Sequence, residues 1–243
     1  MIKRGLKKIL DKFISKKNET DFHNISFSQS GEDIIIEYLF RLRKITCPSF
    51  LDIGGYDPVY GNNTYKFYLK GAKGINIDAD PSAIEKFILK RPNDKNLNVG
   101  VGSEKGSLPF YIMNESSLNT FSKAEYDSLL LTGQTLKQIL NIEVIPINEV
   151  LQEYFVNEVC DLLSIDAEGV DFEIIQAMDF NKYAPKVICI ESINYTPDGT
   201  GTKRVDLCSY IESKGYFEYA NTNINSIFIN SYWWFNNTLV QGR

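Results

Sequence analysis

The sequence predicts an α/β protein built on a doubly wound, mostly parallel sheet with an antiparallel hairpin at its C-terminal end. Three observations lead there. Apolar strand-like runs alternate with amphipathic helical ones along most of the chain, an order that puts helices on both faces of a parallel sheet. Four of the strand-like runs end on a carboxylate, at Asp52, Asp78, Asp166 and Glu191. The last two runs are joined only by residues 221–223, a connection tight enough to pair them as a hairpin.

Taken in order, residues 1–17 carry Ile2, Leu6, Ile9, Leu10, Phe13 and Ile14 on one helical stripe, with lysines on the other face. Such a helix lies on an anionic membrane surface, or docks on the domain or on a second subunit as a homodimer contact. A polar linker follows, so residues 1–27 are set apart from a domain over 28–243. A helix is expected over 34–44, with Ser30 as N-cap and Glu32 and Asp33 at the positive end of its dipole. A strand over 49–53 leads to a helix over 64–70 ended by Gly71. A strand over 73–78 is followed by a helix over 81–90 with Pro81 in its first turn. Strands are then expected over 96–101 and 107–113.

Residues 114–138 are the least regular part, rich in Ser, Asn and Thr and helical only over 122–131. They suit a substrate loop or a plain surface connection. Beyond them come a strand over 142–147, a helix capped by Asn148, and a strand over 161–166. A helix over 171–178, a strand over 186–191 and a helix over 202–214 complete the alternation before the final hairpin.

The 243 residues, 43% hydrophobic and 23% charged, suit one globular domain. No apolar run reaches the about 18 residues of a membrane span, and no secretory signal is evident. Cys47, Cys160, Cys189 and Cys208 are scattered, with no C-x-x-C pair or Cys/His cluster to suggest zinc. They read as reduced, buried thiols of a cytoplasmic protein, peripheral at the inner face of the membrane if residues 1–17 lie on it. The first 17 residues hold seven basic side chains and one acid, while the whole chain is −5, so the rest carries roughly −11. An acidic body disfavours nucleic acid as a partner.

The chemistry is concentrated at the strand ends. Asp52 is followed by Gly54 and Gly55, and Asp78 stands 26 residues further on. In an open parallel sheet the carboxyl ends of the strands line one crevice, where glycines admit a nucleoside and a second acid accepts its ribose hydroxyls. The spacing is wrong for the G-x-G-x-x-G of a dinucleotide site, which argues against a nucleotide-dependent oxidoreductase. One acid after a strand is commonly a helix cap. Four in register gather like charges that a cation must relieve, either a sulfonium nucleoside or a divalent metal.

Several motifs then become recognisable together. They are Ser28 to Asp33 (SQSGED), Leu51 to Gly55 (LDIGG), Asn63 to Phe67 (NTYKF), Gly74 to Asp78 (GINID) and Arg91 to Asp94 (RPND). Asn96 to Gly100 (NLNVG), Leu118 to Phe121 (LNTF), Asp161 to Gly169 (DLLSIDAEG) and Ile188 to Glu191 (ICIE) follow in order. In this order and spacing, from about Ser28 to Ser192, the chain resembles the FkbM-type methyltransferases. That family is S-adenosyl-L-methionine-dependent and has the class I Rossmann-like fold. The resemblance implies that Asp52, Gly54 and Gly55 form the turn under the methionine moiety, with Tyr56 and Asn63 in the loop beyond. It implies that Asp78 holds the ribose hydroxyls, that Ala79, Asn98, Val99 and Gly100 border the adenine, and that Asp166 lies near the methyl donor. Gln29 and Glu32 would close over the cofactor or acceptor. The chain departs from the family at Asp57-Pro58, where many members carry a further glycine.

Methyl transfer to a hydroxyl needs alignment and a base. Asp166, Glu168 and Glu191 are the candidates, although Glu168 also suits a helix start beside Gly169. His23, the only histidine, sits in a polar N-terminal stretch. A metal held by these acids is the minority alternative. The family's varied acceptors and the basic N-terminal segment point to a small-molecule or glycan acceptor, with O-methylation of a sugar hydroxyl as the expected reaction. The contrasting expectation is a catalytically silent interaction protein. Tyr232, Trp233, Trp234 and Phe235 suit a sugar-stacking wall or, more ordinarily, edge packing or a dimer contact.

Overall fold

The computed structural model describes residues 24–156, 159–167, 169–194 and 200–236. The basic segment over 1–17, His23 and Glu168 lie outside the described residues. In chain order the elements are α1 Glu32–Leu42, β1 Phe50–Ile53, α2 Tyr65–Leu69, β2 Gly74–Asp78, α3 Pro81–Lys90, β3 Lys95–Asn98, β4 Gly100–Gly102 and β5 Gly106–Met113. Then come α4 Lys123–Leu131, β6 Leu136–Pro146, α5 Ile147–Tyr154, β7 Leu162–Ile165, α6 Asp171–Ala177, β8 Val187–Glu191, α7 Val205–Ser213, β9 Tyr216–Asn221, β10 Asn225–Asn230 and α8 Ser231–Asn236.

Seven strands form one sheet in the order β3-β2-β1-β7-β8-β10-β9. The first five are parallel, and β10 enters antiparallel between β8 and β9. Alternation along each strand decides which face a residue serves. Leu51 and Ile53 of β1, Leu163 and Ile165 of β7, and Ile188 and Ile190 of β8 pack with α5, α6 and α7. Phe50, Leu162, Val187 and Cys189 point the other way, into α1 and α2 through Ile36, Leu39, Phe40 and Phe67. Both faces are buried, as expected of parallel strands.

A second sheet, β4-β6-β5, has no counterpart in the predicted pattern. The strand expected over 96–101 divides at Val99, and the chain passes from one sheet to the other. Asn98 stands at the change, its Nδ2 donating to the carbonyl oxygens of Asp78 and Ala79, both at 3.0 Å. Other differences have equally local causes. Gly31, not Ser30, is the N-cap of α1, with φ +91° and no side-chain cap bond. The Asp33 carboxylate gathers Ser26 Oγ, Phe27 N and Ser28 Oγ instead, at 2.6, 2.8 and 3.0 Å. Asn148 does not cap α5; it ties residue 177 to residue 179 through its amide. The helix expected from 202 begins at Val205, because Ile193 and Lys203 form an antiparallel bridge and Arg204 N donates to Ser192 O at 2.7 Å. Cys47 is exposed, while the other three cysteines are buried. The Trp233 ring packs on Phe40, and the Arg43 guanidinium lies over Trp234, so this aromatic group is packing around α1.

One row of polar residues crosses the α1/α2 face. The register sets Asp52 beside Asn76 and Ser164, and Ser164 beside Cys189. Fully buried Arg91 serves this row. Its Nε meets Asp94 at 2.8 Å with neither side chain exposed. Its Nη1 donates to Thr64 Oγ1 at 2.9 Å and Asn62 Oδ1 at 3.1 Å. Thr64 and Asn62 in turn donate to Asp52 Oδ2 at 2.8 and 3.1 Å. Asp94 accepts from Gly74 N and Asn76 Nδ2. Removing one partner of a buried ion pair leaves the other charge uncompensated. Arg91→Leu is therefore expected to lower the urea-unfolding free energy by about 3–5 kcal/mol. A loss under about 1 kcal/mol, the range of an exposed pair, would count against this role.

Candidate active site

The cleft lies at the carboxyl ends of β1, β2 and β7. Gly54 makes this convergence possible. Its φ is +78°, its N–H donates to Ile77 O at 2.8 Å, and a Cβ there would overlap the Asp166 carbonyl oxygen. Only glycine allows this turn and this approach together. At Gly55 a Cβ would stand 2.7 Å from the Phe87 ring. Tyr56 then takes φ +53°, a left-handed conformation that costs a non-glycine residue roughly 1–2 kcal/mol. Its N–H is held by Asp78 Oδ2 at 2.8 Å. Asp57, at the departure from the family pattern, accepts from Val59 N and Tyr60 N, both at 3.0 Å. The loop closes as an Asx-type turn with Pro58 inside it.

Asp78, Ala79, Val99, Gly100, Gly54, Tyr56 and Asp166 all line the cleft. Asp52 does not. It is 3% exposed and lies beneath the floor, fixed by Thr64 and Asn62. Gly55 and Asn98 shape the walls without lining them. Asn63 Nδ2 donates to Ser164 Oγ at 3.2 Å, so it too braces the floor. Gln29 is exposed, and Glu32 is buried away from the cleft lining. Glu32 accepts from Thr222 Oγ1, Asn225 Nδ2 and Ser30 N at 2.6, 3.1 and 2.8 Å. Burial alone would raise its pKa; these hydrogen bonds, led by Thr222, hold it below the usual carboxylate value instead. The N-terminal motif thus clasps the β9–β10 hairpin.

Sequence reasoning gave the far wall no role, although Asn119 and Phe121 belong to the LNTF run. Phe110 of β5 and Phe121, with ring centroids 4.7 Å apart, face Ala79 and the strand change at Val99 and Gly100. Asn119 joins this wall to Asp80, donating to its Oδ2 at 3.1 Å. Tyr56 Oη and Ser116 Oγ approach to 3.4 Å across the mouth. These residues come from the second sheet and the irregular segment, where no strand-then-acid pattern marked them.

The cleft concentrates negative charge. Burial pushes Asp78 up to about 6, with Asp80 and Asp52 adding repulsion against hydrogen bonds from Asp80 N and Tyr56 N. Burial also raises Asp166, helped by Asp171 and Asp52, and raises Glu191, helped by Asp166 and Asp171. Both thus stand well above the usual carboxylate range, Asp166 at about 7 and Glu191 at about 9. Neither carboxylate accepts a hydrogen bond from the described residues. Among those residues no group of three or more His, Cys, Asp or Glu is arranged to hold a metal. A cationic nucleoside fits this setting. Its charge would relieve Asp78 and Asp166, its sugar could meet Asp78, and its base has an apolar slot between Ala79, Val99, Phe110 and Phe121.

The sheet order, the antiparallel β10 and the acid-lined cleft define an α/β domain of the class I methyltransferase arrangement. The methyltransferase FkbM domain matches residues 52–217, and the chain belongs to that family. No curated protein matches it. Among solved structures, an FkbM methyltransferase from Methylobacillus flagellatus KT overlaps 76% of this chain at TM-score 0.44 and 12% identity. The chain spans only 44% of that protein. A candidate RNA methyltransferase from Pyrococcus horikoshii overlaps 83% of each chain at TM-score 0.42 and 12% identity. An O-methyltransferase from Bacillus cereus in complex with SAH overlaps 90% of this chain and 88% of its own at TM-score 0.35 and 12% identity. Family membership rests on the sequence match alone.

Two outcomes follow from this geometry. Gly54→Ala is expected to abolish binding of S-adenosylhomocysteine in calorimetry and to lower the melting temperature, because strand β7 must move. The second concerns pH. Asp166 and Glu191 have folded pKa values above their unfolded values of about 4, so the folded state holds extra protons. Their contribution is most favourable below about pH 4 and is lost as pH rises through about 7 and about 9. The ligand-free protein should melt at a higher temperature at pH 6 than at pH 9. Glu191→Gln should shrink that difference; an unchanged difference would rule out Glu191 as its source.

Proposed function

We propose that this chain is an S-adenosylmethionine-dependent methyltransferase acting on a hydroxyl of a sugar or glycan precursor. The observation that carries the donor assignment is the acid-lined cleft itself. Asp78 and Asp166 line a space with no cation among their hydrogen-bond partners in the described residues, beside an apolar slot formed by Ala79, Val99, Phe110 and Phe121. Asp78 would accept the ribose hydroxyls, and the Gly54 turn would let the amino-acid end approach the backbone. When bound, S-adenosylmethionine supplies a methyl carbon that passes to the acceptor oxygen as the carbon–sulfur bond breaks and sulfur keeps the bonding pair.

The chain's own part is to bind, align and receive a proton. The ionised member of the Asp166–Glu191 pair can take the hydroxyl proton, and its high pKa makes it an effective base near neutrality. Phe110, Phe121 and Ala79 keep water from one side of the cleft. The sugar acceptor draws on the family's varied substrates and on the basic segment over 1–17, which suits work at an anionic membrane surface where glycans are assembled.

Calorimetry tests the donor assignment. S-adenosylmethionine should bind, and Asp78→Ala should weaken it roughly 10- to 100-fold, the loss of hydrogen bonds to a charged group. No binding to the intact chain would favour a silent interaction protein. Labelled methyl transfer to fractionated glycan precursors then tests the acceptor.

A further inference from the structure

The chain enters the described structure on the same side of the sheet as the cleft mouth. Residues 25–32 run along the carboxyl ends of the strands. At one end Ser28 bridges to Gly61, and Phe27 O accepts from Asn62 N at 3.0 Å. Gly61 and Asn62 belong to the loop that follows the Gly54 turn. At the other end Glu32 accepts from Asn225 Nδ2, and Asn225 stands opposite Glu191 at the end of β8. Lys66 Nζ holds the Ile25 carbonyl at 2.7 Å, and the Phe27 ring meets the Tyr65 ring at 4.9 Å, so the entry point is fixed.

Two large side chains stand out to solvent at this point. Ile25 is 68% exposed and Tyr60 is 76% exposed. They sit on the two stretches that the Ser28–Gly61 bridge joins. Both are anchored through the backbone instead, Ile25 by Lys66 and Tyr60 by the Asp57 carboxylate. One exposed apolar residue needs no explanation. Two on one rim, next to the entry of an amphipathic segment, extend that segment's apolar character onto the domain.

That segment, residues 1–17, lies outside the described residues, but its sequence is informative. Apolar side chains recur there at helical spacing among seven basic side chains and one acid. Residues 18–23 can span at most about 20 Å, which keeps the segment near the cleft rim. The rest of the chain carries roughly −11 and is repelled by an anionic surface, so the basic segment is the part that meets one. Its stripe needs an apolar partner on one face and anions on the other. Ile25 and Tyr60 are two side chains, not a groove that could cover the stripe. A bilayer with anionic headgroups supplies acyl chains and negative charge together.

We propose that residues 1–17 lie on an anionic bilayer, that Ile25 and Tyr60 continue the contact, and that the cleft mouth is thereby turned toward the headgroups. The partner is the lipid surface itself. The docking stands on charge, apolar spacing and the position of the rim. Its consequence for the reaction, an acceptor met at the membrane surface, rests on the methyl-transfer reading.

Co-sedimentation of the full chain with vesicles of equal parts phosphatidylcholine and phosphatidylglycerol, against phosphatidylcholine alone, tests this. The chain should pellet with the anionic vesicles only, and less of it as salt rises. Lys7→Glu together with Lys8→Glu should weaken partitioning at least roughly tenfold, because each basic side chain near such a surface is worth about a factor of five. Ile25→Ser together with Tyr60→Ser should weaken it at least roughly threefold, as loss of buried apolar area does, while Leu89→Ser should not. Leu89 is 80% exposed at the last turn of α3, toward the amino ends of the strands, where Asp94 meets Gly74 at the start of β2. Equal pelleting with both vesicle types, pelleting with neither, or an unaffected Lys7→Glu, Lys8→Glu variant overturns the docking. A chain that stays off the vesicles and forms a dimer in light scattering overturns it too, and gives the stripe to a second copy. An unaffected Ile25→Ser, Tyr60→Ser variant, or an equal loss in Leu89→Ser, overturns the orientation of the cleft. Calorimetry should show unchanged affinity for S-adenosylhomocysteine in every variant. Failure of the intact chain to bind it removes the methyl-transfer reading and leaves the docking standing.

Discussion

The guanidinium of Arg91 is the constraint on which the active-site floor depends. It is buried without exposure, paired with Asp94 and surrounded by the rings of Phe50, Tyr68 and Phe87 at 5.1–5.4 Å. Burying a charge is unfavourable unless its hydrogen bonds and counter-charge are supplied. Here the supply reaches in two directions. Asp94 fixes the start of β2 through Gly74 and Asn76, while Thr64 and Asn62 fix the end of β1 through Asp52. One cation therefore sets the relative position of the two strands whose ends make the cleft.

The same arrangement sets the cleft's electrostatics. Burial raises Asp52, but Arg91 and the hydrogen bonds from Thr64, Ser164 and Asn62 pull it back. With Asp94 also paired to Arg91, the floor holds two carboxylates for one guanidinium. Asp52 is felt by both Asp78 and Asp166 as repulsion. A carboxylate beneath the floor thereby makes the space above favourable to a cation, so its role is electrostatic and structural together.

Much of this was legible in the sequence because strand periodicity and terminal acids are local signals. Pro81 marks the start of α3, Asp78 and Asp166 lie at the cleft, and the tight link over 221–223 joins an antiparallel pair. What could not be read depends on distant partners. Glu32 meets Thr222 and Asn225 across some 190 residues of chain, so its motif resembled a cofactor contact. Nothing in Asn96 to Val101 signals a change of sheet, because the cause is Asn98 bonding to the end of another strand. Phe110 was only part of an expected strand and Phe121 only the end of the LNTF run until two sheets brought them beside Ala79. Arg91 was visible only as part of a motif and Asn63 only as a cofactor-loop residue, and the row they serve exists only once β1, β2 and β7 are in register.

The sheet register gives the two acids Asp166 and Glu191 their setting. A single ionised carboxylate facing a cationic ligand would be held strongly as a carboxylate and would be a weak base. A neighbouring carboxylate raises a carboxylate's proton affinity, because ionising both would set like charges side by side. Asp166 and Glu191 lie at the ends of neighbouring parallel strands, so the sheet itself holds them close enough to couple. After burial, repulsion from Asp171 and Glu125 raises both values further. The proton affinity of the two acids thus depends on residues brought in by α4 and α6 as well as on the sheet that sets their spacing.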